Sequence, residues 1–448
     1  MKNLIIQRTD MGGLKKWFGD AVLICRRELK RIVTDGGVML IFCVAGLGYP
    51  LLYNCIYHNG ILEDTPIAVV DESHSVHSRR YIRKVDATRE LRVARKCATM
   101  AEAEELMRQR KVKGVIYFPE DFGRDIDECR TATLSIYADM SSFLYYKNLL
   151  MGTEFVMLHE INDLQIERYN ASGMTGQESY QMVKAIPYEE NIPYNKTFSY
   201  SIFLISAMLM LIIQQVMFYG MSLLTGTSRE ENRSLASIPG DYSGHGMGRV
   251  VLGRGLAYWL LFMTISLYIA VIIPAWFGLP QRGSFQDVIV LLLFFLTDCV
   301  FFCQTWSSLI TRRETVFVLL LFMSPILIFL TGFSWPTCAF PRFWKLFSYL
   351  FPSTFACQGF INLSTAGGDL GTIRPQLIAM TIQGMAYYGL ANVAVMVENW
   401  IISHKEDIRE KREAMKDRIE GQIEERIEKR TGRKVNLSEI LDKPIDNS

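Results

Sequence analysis

The sequence predicts a mainly α-helical, polytopic membrane protein with six transmembrane helices and an α/β extracytoplasmic domain inserted between helices one and two. Three observations carry this. Apolar residues make up 50% of the chain and charged ones 21%, and the two kinds are segregated along it. Uncharged runs extend over 36–57, 197–228, 255–281, 315–341 and 375–397, and a sixth, 288–311, holds a single charge, Asp298. Each exceeds the roughly 20 residues with which a helix crosses about 30 Å of hydrocarbon. A buried helix of a soluble protein would account for one such run, not for six. The third observation is the stretch 58–196, rich in charges of both signs, which lies between the first two runs.

Residues 1–35 read as a cytoplasmic N-terminus. Within it, 14–33 sets Leu14, Trp17, Phe18, Ala21, Val22, Cys25, Leu29 and Ile32 at helical spacing opposite a basic face. That pattern predicts an amphipathic helix in the membrane interface, its cations against anionic headgroups. The first span, 36–57, begins too late and has too long an apolar core for a cleaved signal, so it is expected to stay as an anchor. In the insertion, 66–71, 91–97, 113–119 and 133–139 read as strands. Helices are expected near 76–90, from the Thr99–Glu102 capping box to about 110, in a turn at 120–128, and from Phe143 to about Tyr169. Such alternation predicts a compact α/β domain.

Five further spans are expected at 197–226, 251–279, 288–311, 315–335 and 375–402. A cytoplasmic segment, 227–250, links the second and third, and 336–374 forms re-entrant outer-leaflet helices and a loop. A charged cytoplasmic tail, 403–448, carries a thin stripe of Ile408, Met415, Ile419, Ile423 and Ile427, which suits a solvated helix or a partner contact. Lys and Arg fix the orientation: Lys15, Lys16, Arg26, Arg27, Lys30 and Arg31, then Arg229, Arg233 and Arg249, then Arg312 and Arg313, and the tail all fall on one side, the cytoplasmic one. Trp17, Trp259, Trp306 and Trp400 fall near the inner boundary, and Trp276, Trp335 and Trp344 near the outer one.

Several chemistries are excluded or unsupported. No Gly-Lys dipeptide occurs, so the chain has no P-loop for nucleotide hydrolysis. The stretch from His159 begins like a zinc helix, but Asp163 stands where the second His belongs. The six His are scattered, and no metal site or catalytic residue is expected. Among the nine Cys, Cys97 with Cys129 and Cys338 with Cys357 would face an oxidising space, and spacing alone decides neither pairing. Nucleic acid is not an expected partner.

Asp298 lies eleven residues after Asp287 and fourteen before Arg312, near mid-membrane. Such a group lines a polar path or gate, or else it is a protonated or hydrogen-bonded Asp that locks helices together, with Thr297 and Gln304 on nearby turns. Pro325 should kink the fifth span by removing a backbone hydrogen bond, and Pro274 the third.

The stretch 332–360, GFSWPTCAFPRFWKLFSYLFPSTFACQGF, is too apolar for a water-facing loop and too broken for a span. Ten of its 29 residues are aromatic. Pro341 can open a helix, which Pro352 should end, with Phe340, Phe343, Trp344, Phe347, Leu350 and Phe351 on one face. Eleven residues span only about 16 Å, half a bilayer.

This stretch resembles the segment between spans five and six in permease subunits of type-2 ABC exporters. "CRREL" at 25–29 is similar to the start of that family's interfacial helix, and 227–239, TSREENRSLASIP, looks like its acidic segment after span two. Glu230, Glu231, Ser234, Leu235 and Pro239 match there, whereas Arg233 replaces the usual Gly and Ala236 the usual Glu. The order of elements is most similar to the multidrug-exporter branch with a large periplasmic domain.

The resemblance implies a non-enzymatic half-transporter in a bacterial inner membrane, multi-pass, with both termini cytoplasmic. It would export a hydrophobic or amphipathic substrate by alternating access. The chain would bind no cofactor, and ATP and Mg would sit on a separate cytoplasmic ABC ATPase. A second permease copy, identical or not, would complete the transporter, and a periplasmic adaptor with an outer-membrane channel could dock outside. Glu230, Glu231, Arg233, Ser234 and Leu235 would couple to the ATPase, and Trp335, Phe340, Phe343, Trp344 and Phe347 would form an outer-leaflet gate. The competing expectation is a membrane scaffold or receptor whose outer domain binds a partner without transport.

Overall fold

The structure, a computed structural model, describes residues 2–184, 193–195, 199–230, 247–398, 400, 404 and 415, with side chains outside the description for 2–16, 200, 201 and 203. The chain divides into two compact units, 1–58 with 202–448, and 59–201. The first unit opens with helix α1, Lys2–Thr34, longer than the expected 14–33. Asp35 then caps a new helix by accepting from the backbone N–H of Gly37 at 2.9 Å and Val38 at 3.1 Å. This helix, α2 (Gly36–Ile56), is long and apolar enough to cross a membrane. Its middle, Ile41–Gly48, winds as a π-helix just before Pro50. A proline ring collides with the carbonyl four residues back, and the wider π turn moves that carbonyl aside.

The second unit is built on a four-stranded sheet. In chain order it comprises β1 (Thr65–Asp71), α3 (Val76–Asp86), β2 (Leu91–Cys97), α4 (Met100–Arg108), β3 (Gly114–Phe118), α5 (Phe122–Asp127), β4 (Ser135–Ala138), α6 (Phe143–Ala171) and α7 (Gly176–Val183). The strand order is β2-β1-β3-β4, with β1 parallel to both neighbours and β4 antiparallel to β3. Two βαβ crossovers therefore cover the sheet on both faces, which is why β1 reads as an unbroken apolar run. Side-chain alternation divides the core. Ile67, Val69, Ile116 and Phe118 face α3 and α6, packing on Tyr81, Val85, Leu149 and Val156. Ala68, Val70 and Val115 face the other way, onto Ala103 of α4. Thr99 caps α4 by accepting from Glu102 N–H, but the Glu102 carboxylate takes the Ala98 N–H and not that of Thr99, so only half of the expected capping box forms. The Tyr81 hydroxyl donates to Thr153 O at 2.9 Å, tying α3 to α6.

The first unit resumes with α8 (Tyr200–Glu230), α9 (Gly248–Trp276), α10 (Phe285–Ser307) and α11 (Arg313–Leu330). With α2, these are the five helices among the described residues long and apolar enough to cross a membrane. Helix α8 is the most enclosed, with 78% of its most apolar window buried, and α11 the least, at 17%. Helix α8 is accordingly mostly apolar, as a helix surrounded by neighbours is, with Gln214 and Ser228 among its few buried polar residues. Gly220 lets α2 pack against it, since a Cβ there would lie 2.1 Å from the Phe42 ring. In α9 a π turn at Tyr268–Ile272 again precedes a proline, Pro274, and the Gln281 amide donates to Val271 O at 3.0 Å and, more distantly, to Ala270 O, the carbonyl four residues before the proline, at 3.5 Å. Beyond α11 come a short 3-10 turn (Thr337–Ala339), α12 (Arg342–Ser348), α13 (Pro352–Ser364) and α14, over 374–398. Helix α14 is not among the five apolar ones, because Gln383 and Asn392 interrupt it.

One expectation about the aromatic segment is corrected here. The helix opened by Pro341 stops at Ser348, and Pro352 does not end a helix but begins one, α13, at its first position. A proline there gives up no hydrogen bond and arrives with a helical φ. The expected eleven-residue face is thus divided between α12 and the connection to α13.

Candidate functional site

The charged ends of the first unit's helices converge on α1. Its residues Asp20 and Glu28 lie two turns apart, and α9 presents Arg249 and Arg254. Gly253 allows the close approach, since a Cβ there would stand 2.6 Å from Ala21 O. Asp20 then accepts from Arg249 Nη1 at 2.7 Å, and Glu28 from Arg254 Nε at 3.3 Å, with all four side chains no more than 8% exposed. Glu28 also takes Arg31 Nη1 at 3.2 Å, and Arg31 donates to Ser228 Oγ at the end of α8. Burying charges this deeply is tolerable only when each meets an opposite charge.

The same pattern ties in the other elements. Arg229 bridges Glu398 of α14 at 3.0 Å and Ile310 O at 2.8 Å. Arg313, which opens α11, donates to Thr227 Oγ1 at 3.2 Å and to Asp35 Oδ1 at 3.3 Å. Its backbone N–H donates to Glu230 at 2.9 Å.

Of the five expected ATPase-coupling residues, Glu230 therefore belongs to this network, on the last turn of α8. Glu231, Arg233, Ser234 and Leu235 lie outside the described residues, as does the tail stripe apart from Met415. Sequence reasoning read α1 as a basic face against lipid and missed Asp20 and Glu28. The signal was two acids on one side of a helix whose other charges are nearly all basic. The expected apolar face does hold in part: Ala21, Cys25 and Ile32 are buried, whereas Phe18 and Val22 are exposed.

The expected gate residues separate into two groups. Trp335, Phe343 and Trp344 are exposed, while Phe340 and Phe347 are half-buried. Phe343 stacks on Phe347 at 6.2 Å, Phe347 meets Phe351 edge-on at 5.5 Å, and Phe351 meets Phe302 of α10 at 5.9 Å. A line of rings thus runs from the surface of α12 into the bundle. Helix α13 is anchored beneath it, its Ser353 N–H donating to Gln214 Oε1 of α8 at 2.6 Å and its Cys357 thiol to Ala207 O at 3.2 Å. All nine cysteines are free thiols; Cys357 is buried and Cys338 exposed, and Cys97 is buried and Cys129 exposed.

Asp298 is 1% exposed, and neither carboxylate oxygen has a hydrogen-bond partner. Its expected helix-locking bonds are not formed: Thr297 donates to Leu293 O at 2.7 Å and Gln304 to Val251 O at 3.0 Å. Instead Asp298 borders an open groove of about 510 Å³ between α10 and α14, lined by Phe294, Phe301, Met380, Met385 and Tyr388 with Leu252 of α9. Pro325 lies inside α11, which runs on as one helix to Leu330, and the neighbouring Ser324 hydroxyl meets the Tyr219 hydroxyl of α8 at 3.0 Å.

Among the described residues no three His, Cys, Asp or Glu side chains converge as a metal site would require. Five helices long and apolar enough to cross a membrane, joined at one end by buried ion pairs, define a multi-pass membrane protein. The family model described as "ABC-2 family transporter protein" matches residues 37–393, and the chain belongs to that family. Permeases of this family are the transport component rather than the catalyst, and normally pair with an ABC ATPase subunit. No curated protein matches the chain.

Proposed function

We propose that this chain is one permease half of an ATP-driven exporter in a bacterial inner membrane, similar to the multidrug-exporter branch. In this reading α14 is a sixth span, both termini are cytoplasmic and the 59–201 unit is periplasmic, where an adaptor leading to an outer-membrane channel could dock. Two permease copies and two ATPase subunits form the working unit, with ATP and Mg on the ATPases.

The observation that carries this is the polar clamp at one end of the bundle, in which α1 is ion-paired to α9 and hydrogen-bonded to α8, α8 is ion-paired to α14, and Asp35, the cap of α2, is ion-paired to α11. A force that an ATPase applies to α1 or to the end of α8 at 227–230 reaches the neighbouring helices through these contacts. Closure of the ATPases would then rock each permease as a body, the rigid-body class of transition, and a hydrophobic or amphipathic substrate would leave past the aromatic α12 segment.

The test is isolation of the full chain in mild detergent. A cassette ATPase is expected to co-purify, and ATP hydrolysis in the complex should need the ATPase's P-loop lysine. If no ATPase associates and none is encoded beside the chain, the exporter reading fails.

A further inference from the structure

The groove between α10 and α14 has a lopsided chemistry. Its walls are apolar and aromatic, and no Lys or Arg lines it. The hydroxyls of Thr297 and Thr381 are already committed to Leu293 O and Leu377 O, each at 2.7 Å. What is left over is one carboxylate, Asp298, buried and without a donor. An unpartnered buried acid is costly, and such groups within a membrane bundle mark binding or ion pathways. The Phe301 ring of α10 and the Tyr388 ring of α14, 5.1 Å apart edge-on, both line the groove, and aromatic rings attract cations to their faces.

We infer that this groove is a binding site for a lipophilic amine, the ammonium donating to the Asp298 carboxylate and the hydrocarbon or aromatic body filling the space between α10 and α14. The ligand supplies the donors and charge that the protein withholds, which makes the site selective. A neutral ligand of equal size gains the apolar contacts but brings no charge to the carboxyl group. The inference rests on the permease reading for its meaning as a substrate site, but binding itself needs no ATPase.

The experiment uses the full chain in phospholipid nanodiscs without any ATPase. The probe is dansylcadaverine, a fluorescent primary amine, compared with its N-acetyl derivative, which keeps the body and loses the charge. On the wild type the amine should bind saturably and at least about tenfold more tightly than the acetylated probe, the size of one charge-assisted hydrogen bond. Asp298→Asn should erase that difference.

Gly384 also lines the groove, and a Cβ there would meet Asp298 only at ordinary contact distances of 3.5 to 3.7 Å. Gly384→Leu should therefore abolish amine binding by filling the space while the carboxylate remains. Equal affinity of the two probes on the wild type overturns the inference, as does undiminished amine binding by Asp298→Asn. The wild-type comparison needs no variant to fold. If it fails while a cassette ATPase still co-purifies, the amine site falls and the permease reading stands.

Discussion

Glu28 is 3% exposed on a helix that the sequence alone assigns to a water–lipid boundary, and it holds two arginines at once. A carboxylate in that position is stable only because Arg254 and Arg31 replace the water it has lost. Removing one partner leaves the other charged, buried and alone, at a cost of about 3–5 kcal/mol, whereas replacing both by apolar residues can be close to neutral. Arg254→Leu should therefore lower the thermal midpoint of the detergent-solubilised chain sharply, and Glu28→Leu likewise. The double variant should recover much of the loss, though Arg31 would keep an unmet charge. Thermal unfolding of the four proteins gives the coupling directly. Losses that simply add would show that the pair does not hold α1 to α9.

At the scale of elements, the seam between α3 and α6 is held by charge as well as by its core. Lys84 donates to Asp163 at 2.7 Å and lies 2.6 Å from Glu160, and Arg80 pairs with Glu160 and Glu167. The hydrogen bond from Lys84 holds the Asp163 carboxyl below its usual range. Burial pushes the Lys84 ammonium down, but its bonds to Asp163 and Glu160 outweigh this and raise it. A depressed acid stabilises fully above its unfolded pKa of about 3.9 and loses this as pH falls; a raised lysine stabilises fully below about 10.4 and loses it as pH rises. Amide exchange in α3 and α6 of the whole chain should thus be slowest, after correction for intrinsic rates, between about pH 5 and 9 and should accelerate below about pH 4. A Lys84→Met variant should lose much of that acid response; an unchanged response would remove the seam as its cause.

These local elements were the legible part of the fold. Strands such as 91–97 and the Thr99 cap follow from alternation and from one side chain meeting the backbone, which neighbours in sequence decide. Less legible were the break at Ser348 and the new helix at Pro352, because a proline is compatible with either end of a helix until packing chooses. Here Gln214, 139 residues away, takes the Ser353 N–H and settles it. The pairing of Asp20 with Arg249, separated by 229 residues, was likewise beyond reach of any periodicity.

For the whole molecule, the membrane topology turns on α14. It falls outside the five clearly apolar helices, and while the side-chain oxygens of Gln376 and Gln383 are buried without a partner, three of its polar donors are met within the protein. The Gln383 amide donates to Leu350 O at 2.7 Å, Asn392 to Tyr388 O at 2.8 Å and Thr381 to Leu377 O at 2.7 Å. Hydrocarbon tolerates polar groups satisfied in this way, so their presence does not bar α14 from crossing. Cys338 precedes α14 and the tail follows it. If α14 spans, they lie on opposite sides; if it does not, they lie on the same side. Cys338 and Cys129 are both exposed and unbridged, which makes them native reporters in a background with the other cysteines replaced. A membrane-impermeant maleimide added to intact cells with a permeabilised outer membrane should label each of them when present alone. Ser438→Cys in the tail should react only after the inner membrane is opened. Labelling of position 438 from outside together with Cys338 would make α14 a non-spanning helix and would move the tail away from the side on which the ATPase is proposed to act.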